Sequence, residues 1–216
     1  MSVDTDVIFN CAMRVGGQLE LRRQKDNLFL RVARVLGGIC PASGDGSPFY
    51  AVCFGQLPDA NKSGRKKLIF LGEAEGELPD LFFDRLVELS RKFFSWHWCF
   101  NTSDADDIAV ESLRRLLANH MTQRDIVQIR LIPALTMNWG TGVSVIQQWV
   151  ADEALEIRPG TILAAQLGRM TKADRQVSRR NVFYAPDALR AILGHAASGH
   201  RHNWSGGYTE KKGYYY

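Results

Sequence analysis

The chain has 216 residues, of which 45% are hydrophobic and 23% are charged, and its formal net charge is +4. This composition is ordinary for a globular protein and excludes a chain that is disordered throughout. The mild excess of Lys and Arg is compatible with nucleic-acid contact but does not require it, because many globular proteins are equally basic.

The cysteines and the N-terminus indicate a reducing compartment. Cys11, Cys40, Cys53 and Cys99 have neither CxxC nor zinc-finger spacing and stand in apolar contexts, so we predict buried free thiols. The N-terminus does not have the pattern of a signal peptide, and the apolar stretches are too short to cross a bilayer. We therefore expect a cytoplasmic protein, or one of the host-cell cytoplasm if it is viral, with no membrane partner.

The first half of the chain is predicted to be rich in strands. Residues 1–27 form a lead-in segment, in which Val7–Leu21 has helical character interrupted by two glycines. Apolar runs bounded by Gly, Pro and polar turns then predict three strands. These strands cover Leu28–Cys40, Phe49–Leu57 and Leu68–Glu75. Leu78–Phe94 changes to helical spacing and predicts a helix.

The second half is predicted to alternate strands with helices. The predicted strands are Trp96–Phe100, Asp125–Pro133 and Leu155–Pro159, and the predicted helices are Ile108–Ala118, Val143–Glu153, Thr161–Met170 and Pro186–Ala197. The Gly-, His-, Tyr- and Lys-rich residues 198–216 are expected to form a flexible tail. Antiparallel strands followed by alternation indicate an α/β domain over residues 28–197, with a mixed sheet and helices on its faces.

Three short segments, in this order, carry a family resemblance. Gly37–Val52 has a strand end, a Gly- and Asp-rich turn and an apolar strand; Trp98–Asp104 is a strand end before a helix; and Ala185–Arg190 contains Asp-Ala-Leu-Arg. Together they resemble the C-terminal nuclease domain of phage terminase large subunits, in the ribonuclease-H-like superfamily. The resemblance covers roughly residues 30–197.

The resemblance implies a fold, an activity and partners. The expected fold is a ribonuclease-H-like mixed sheet with helices on both faces. The expected activity is metal-dependent endonuclease cleavage of double-stranded DNA during phage genome packaging. The expected partners are double-stranded DNA and a terminase ATPase, a portal or another packaging protein. The sequence has no GxxxxGK[ST] phosphate loop, so the ATPase half of a terminase is not expected in this chain.

The resemblance also implies a carboxylate centre. Two-metal cleavage needs Mg²⁺ or Mn²⁺ ions roughly 4 Å apart, held by oxygen ligands. The catalytic and metal-binding candidates are Asp187, Asp104 and Asp45, whereas Cys40 stands where the first acid is expected. Each candidate also has a purely structural reading: Asp45 as a turn residue, Asp104 as a helix N-cap and Asp187 as a first-turn acid.

Two interpretations of this centre remain open. One is an active nuclease with a rearranged set of acids, to which Glu73 and Glu75 on one face of the third strand could belong. The other is a catalytically degenerate nuclease-like domain that acts in DNA binding or in virion or packaging assembly. Cysteine is a soft ligand and a poor substitute for aspartate with Mg²⁺, and loss of one metal ligand normally removes most activity, but the sequence leaves both interpretations open.

Basic residues near the predicted centre are candidates for DNA contact. Such contacts would be independent of DNA sequence and sensitive to salt. The candidates are Arg169, Lys172, Arg175, Arg179, Arg180, Lys66 and Lys67. Solvated surface charge is the alternative interpretation of all of them. Trp96 and Trp98 share one face of a strand and are expected to pack in the core rather than to stack on bases.

Overall fold

The computed structural model describes most of the chain. The described residues are 9–15, 18–23, 27, 29–42, 46–101, 129–134, 137–171, 173–174 and 182–197, with isolated positions between 111 and 118. The predicted tail at residues 198–216 and almost all of the predicted helix Ile108–Ala118 lie outside them.

The strands form two sheets. In chain order they are β1 (Phe9–Val15), β2 (Gln18–Arg23), β3 (Phe29–Val32), β4 (Arg34–Cys40), β5 (Phe49–Ala60), β6 (Lys66–Gly76), β7 (His97–Asn101), β8 (Arg130–Ala134) and β9 (Leu155–Glu156). The first three strands form one antiparallel sheet, and the larger sheet has the order β8-β7-β4-β5-β6-β9. In the larger sheet β5 runs antiparallel to both neighbours, while β4 and β7, β7 and β8, and β6 and β9 pair in parallel. The predicted mixed sheet is confirmed.

Helices cover both faces of the larger sheet. They are α1 (Pro79–Phe93), α2 (Trp139–Ala151), α3 (Ile162–Arg169) and α4 (Tyr184–Ala197). One apolar cluster joins α1 to the sheet around Trp98, and the other joins α2, α3 and α4 to the opposite face around Tyr50. This arrangement confirms the predicted α/β class, a mixed sheet with helices on both faces.

The N-terminal residues differ from the sequence expectation. The helix expected over Val7–Leu21 is wrong, because this stretch contains β1 and most of β2, paired antiparallel. In β2 the buried residues Leu19 and Leu21 are two positions apart, which is the spacing of a strand with one buried face. β2 also pairs with β3, so hydrogen bonding continues across the predicted domain start at residue 28.

Packing of α4 on the centre of the sheet depends on a close backbone approach. A side-chain carbon added to Gly38 would lie 2.2 Å from the carbonyl oxygen of Ala188. Glycine therefore lets α4 lie directly on β4. This contact brings the first turn of α4 to the edge of the sheet where β4 and β7 end.

The buried aromatic and thiol side chains agree with the sequence predictions. Trp98 is fully buried and its indole N–H donates to Ser90 Oγ at 3.0 Å, which confirms its place in the core. Cys53 and Cys99 are buried free thiols, and Cys40 is buried as well, as predicted. No helix within the described part of the chain is long and apolar enough to cross a membrane.

Candidate functional site

The candidate site lies where two parallel strands and a helix meet. Cys40 and Asn101 are the last residues of β4 and β7, and the pairing of Ile39 with Phe100 puts them side by side. Asp187 lies in the first turn of α4. Because the carboxyl ends of parallel strands share one edge of a sheet, a ligand crevice is expected at this place in an α/β fold.

Asp187 is held by two side chains. Arg190 Nη2 lies 2.5 Å from its Oδ1, and Asn101 Nδ2 lies 3.2 Å from the same oxygen. Asn101 Nδ2 also donates to the main-chain oxygen of Asp187 at 2.8 Å. Asp187 is 0% exposed and Arg190 is 6% exposed, so this is a buried ion pair. The negative charge of Asp187 is thus balanced by a cation that belongs to the protein.

Arg190 is fixed by contacts beyond the carboxylate. Its Nη1 donates to the carbonyl oxygen of Met137 at 2.8 Å, and its guanidinium carbon lies 5.5 Å from the centre of the Trp139 ring. A side-chain carbon at Gly142 would lie 2.1 Å from Arg190 Cδ, so the glycine in α2 provides the space for the arginine side chain. Contacts from residues 137–142 therefore hold this guanidinium beside Asp187.

A second polar cluster lies on the same sheet face. Tyr50 pairs with Cys40 on one side and with Glu75 on the other, so the three form a row across β4, β5 and β6. The Tyr50 hydroxyl donates to Glu73 Oε2 at 2.6 Å, and the Tyr184 hydroxyl hydrogen-bonds to Glu75 Oε1. Burial raises the pKa of Tyr50 well above its usual range, and the Glu73 carboxylate raises it further. These phenols therefore serve as neutral hydrogen-bond donors.

Glu73 also caps a helix. Its carboxylate accepts from the backbone N–H of Ile162 at 2.7 Å and of Leu163 at 3.3 Å, at the start of α3. A carboxylate at this position satisfies N–H groups without a partner inside the helix and complements the helix dipole. The structure therefore gives Glu73 a helix-capping role. This role differs from membership of the acid set, which the sequence left open.

The structure locates only part of the predicted carboxylate set. Asp187 lies at the sheet edge, whereas Asp104 and Asp45 lie outside the described residues. Within the described ranges no group of three or more His, Cys, Asp or Glu side chains could hold a metal ion. Cys40, a neutral amide at Asn101 and an arginine-paired aspartate are a poor donor set for Mg²⁺ or Mn²⁺. The described residues do not fit a two-metal centre.

The predicted DNA-contact residues lie in different places. Lys66 and Lys67 begin β6, at the opposite end of that strand from Glu75, and Lys67 Nζ lies 2.6 Å from Glu156 Oε2. Arg169 is exposed at the end of α3. Burial and Glu75 raise the pKa of Tyr184, and the nearby positive charge of Arg169 offsets part of this rise. The remaining predicted residues lie outside the described ranges, namely Lys172, Arg175, Arg179 and Arg180.

Sequence reasoning missed two residues of the site. Arg190 follows Asp187 by three positions on a helix, a spacing at which opposite charges meet, and this signal was present in the sequence. Asn101 ends a strand at the position where an acid was expected, but its contact with Asp187 joins residues 86 positions apart. Only the fold could reveal that contact.

Three solved structures are similar to this chain at low sequence identity. Thermus thermophilus RuvC in complex with a Holliday junction substrate is 10% identical, with 76% of this chain and 93% of that chain covered and a TM-score of 0.41. The fowlpox virus Holliday junction resolvase is 9% identical, with 76% and 97% covered and a TM-score of 0.40. The large terminase nuclease of a thermophilic phage, with bound cobalt, is 13% identical, with 88% and 93% covered and a TM-score of 0.41. No protein-family model matches this chain, and no curated protein matches it.

Proposed function

We propose that this chain is a nuclease-like α/β domain that binds DNA and does not cut it. The ion pair of Asp187 with Arg190 carries the proposal, because both side chains are buried and their charged atoms lie 2.5 Å apart. In two-metal cleavage, divalent ions neutralise the carboxylates and activate water. Here a guanidinium neutralises Asp187, and a guanidinium cannot generate the hydroxide nucleophile.

The ligand atoms around the ion pair support the same conclusion. The two strand ends beside Asp187 carry the Cys40 thiol and the Asn101 amide in place of carboxylates. The amide donates to Asp187 through Nδ2. Because Arg190 already balances the charge of Asp187, a thiol and an amide add no negative charge that would attract a divalent cation.

DNA contact is supported by charge. The chain has a net charge of +4, and exposed Arg169 lies on the side of the domain that carries Tyr184 and Asp187. Three predicted contact arginines follow α3 in the sequence, between Arg169 and Asp187. The resemblance to terminase nuclease domains suggests phage genome packaging as the setting, with double-stranded DNA and a packaging protein such as a portal or a terminase ATPase as partners.

An active, metal-dependent endonuclease is the second candidate. Asp187 lies against the ends of β4 and β7, and the chain continues from these ends to Asp45 and Asp104 respectively. If the three acids met, Mg²⁺ or Mn²⁺ would have to bind beside the Arg190 guanidinium, which contacts one oxygen of Asp187. This candidate therefore places a divalent cation next to a buried positive charge, which the first does not.

A paired cleavage and binding experiment separates the candidates. Supercoiled plasmid is incubated with the full chain and Mg²⁺, Mn²⁺ or Co²⁺, and binding to a labelled duplex is measured by fluorescence anisotropy at several salt concentrations. We expect no nicking with any metal, together with binding that weakens steeply as salt rises. Asp187→Ala and the exposed control Asp84→Ala are assayed in parallel.

Each other result decides against the proposal. Metal-dependent nicking that Asp84→Ala retains and that Asp187→Ala abolishes while still folded by circular dichroism would establish the active endonuclease. Absence of both cleavage and binding would leave an assembly role in place of DNA contact. Nicking that survives Asp187→Ala would place the activity elsewhere and remove Asp187 from it.

A further inference from the structure

The described side chains of β2 and β3 have one face in the core and one face in solvent. Strand alternation puts Leu21 and Val32 on the inner face, where they are 0% and 2% exposed. Arg22, Phe29 and Arg31 alternate with them and are exposed. The side chains of the outer face are therefore presented outward by a sheet that is anchored through its other side.

An aromatic ring lies next to two arginines on this outer face. Phe29 is 53% exposed and is the direct cross-strand partner of Arg22, while Arg31 follows it by two residues on β3. Two residues along a strand correspond to about 6.6 Å. A single exposed apolar side chain is common and needs no explanation. An exposed ring next to two guanidinium groups has, in addition, the composition of a surface for single-stranded nucleic acid.

Among the described residues, the two arginines contact a neutral amide and a distant carboxylate. Arg22 donates to the side chain of Asn27, with Nη2 2.6 Å and Nε 3.0 Å from Oδ1, and this contact positions the guanidinium without neutralising it. Arg31 Nε lies 3.6 Å from Glu20 Oε1, and the Arg31 side chain is 73% exposed. An ion pair this long and this exposed contributes little and is easily exchanged for a phosphate contact.

We infer that the face formed by Arg22, Phe29 and Arg31, here called the outer face, binds single-stranded nucleic acid. A base stacks on the Phe29 ring, and the flanking phosphates contact Arg22 and Arg31. A single strand fits better than a duplex, because the faces of duplex bases are already stacked on one another. The inference rests on the proposed function in one respect, that the chain binds nucleic acid. The single strand would bind on β2 and β3, at a different place from the Asp187 centre on α4.

The test measures two probes on matched variants of the full chain. The probes are a labelled oligothymidylate of about 12 nucleotides, within the size that one such surface covers, and a labelled blunt duplex. We expect Phe29→Ala and Phe29→Leu to weaken oligothymidylate binding about 5-fold or more, and Phe29→Trp to retain it, because stacking needs an aromatic ring. Phe29→Ala is expected to change duplex binding by less than about 2-fold, because the bases of a duplex are stacked on one another and cannot stack on the Phe29 ring.

The arginines have their own readout and control. Arg22→Ala and Arg31→Ala are expected to weaken oligothymidylate binding and to reduce its salt dependence by about one phosphate contact each. Arg115→Ala is the control, since Arg115 is exposed and pairs with Glu111 in the i,i+4 arrangement. Its binding should equal that of the wild type. All these side chains are exposed, so each variant is expected to unfold at the same temperature as the wild type. Thermal unfolding is therefore the control that each variant folds.

The outcomes distinguish this inference from the proposed function. If the wild type binds the duplex and Phe29→Ala binds oligothymidylate as tightly as the wild type, the outer-face inference is wrong and the proposed function stands. If Phe29→Leu binds as well as Phe29→Trp, stacking is wrong. If neither probe binds to the wild type, the proposed function fails together with the inference.

Discussion

The guanidinium of Arg190 pairs with the Asp187 carboxylate from one turn further along the same helix, at 2.5 Å. The i,i+3 spacing makes the contact possible, and the fold makes it strong by burying both groups. Arg190 is held from its other side by Met137 and Trp139, so the pair also ties α4 to the residues that begin α2. One ion pair therefore neutralises Asp187 at the candidate centre and links α4 to α2.

Removing either member of the pair should destabilise the fold strongly. Asp187→Ala and Arg190→Ala each leave a buried charge without its counter-charge, which costs about 3–5 kcal/mol. The double variant Asp187→Leu/Arg190→Met, which fills a similar volume with apolar groups, should lose much less than the sum of the single changes. Urea unfolding of the four proteins measures the coupling.

The same series tests the alternative reading of Asp187. If Asp187 is a metal ligand, its replacement should leave stability unchanged or higher without metal, and Mn²⁺ should raise the melting temperature of the wild type. An Asp187→Ala protein that unfolds at the wild-type urea midpoint would contradict the interpretation that the Asp187–Arg190 ion pair stabilises the fold.

Two helical glycines provide a matched comparison for the position of Arg190. Gly142→Ala would place its new carbon 2.1 Å from Arg190 Cδ, whereas Gly168→Ala would meet nothing within 4 Å. Glycine to alanine in an unhindered helix interior stabilises by about 1 kcal/mol. We expect Gly168→Ala to raise the urea midpoint and Gly142→Ala to lower it, because Arg190 must move. Equal gains in both variants would show that the space at Gly142 does not matter.

The buried phenol of Tyr50 predicts a loss of stability in alkali. Burial first, and the Glu73 carboxylate next, raise its pKa well above the ordinary value. Below pH about 10 the phenol is protonated in both the folded and the unfolded chain, so it adds no pH dependence. Above that pH only the unfolded chain loses the proton, and the free energy of unfolding falls as pH rises.

The alkaline loss should be smaller in a variant without this hydroxyl. The urea midpoints of the wild type and of Tyr50→Phe are measured at pH about 8 and at pH about 10.5, which lie on either side of the ordinary tyrosine pKa. The fall in midpoint between the two pH values is then compared for the two proteins. Tyr50→Phe is less stable at the lower pH, since Glu73 loses a donor. An equal alkaline loss in both proteins would contradict the raised pKa.

The lowered pKa of His97 predicts that the free energy of unfolding falls toward acid pH, in the opposite direction to the effect of Tyr50. Burial lowers its pKa, and the positive charges of Arg130 and His195 lower it further. Above pH about 6.5 the imidazole is neutral in both states; below it the unfolded chain takes up the proton first, so stability falls as pH falls. The loss between pH about 7.5 and about 5.5 should be smaller in His97→Gln. An identical loss in both proteins would rule out this contribution.

Much of the fold was readable from local patterns. Apolar runs bounded by turns gave the strands that end at Cys40 and Glu75, and helical spacing gave the helix over residues 79–93, because a half-buried strand and an amphipathic helix each impose a period on the sequence. Val7–Leu21 was misread as helical. Its two strands are stabilised by pairing with each other and with β3, a non-local contribution that overrides local propensity.

The sequence by itself determined the α/β class, the core position of Trp98, the buried thiols and the place of Asp187 at the start of the last helix. The tertiary structure decided what surrounds Asp187. Asn101 and Met137 reach the ion pair across 86 and 53 positions of chain. Contacts of this kind depend on which strands become neighbours and how closely α4 approaches β4, and no local period encodes them. The chemistry at Asp187 therefore followed from packing rather than from the motif that predicted the residue.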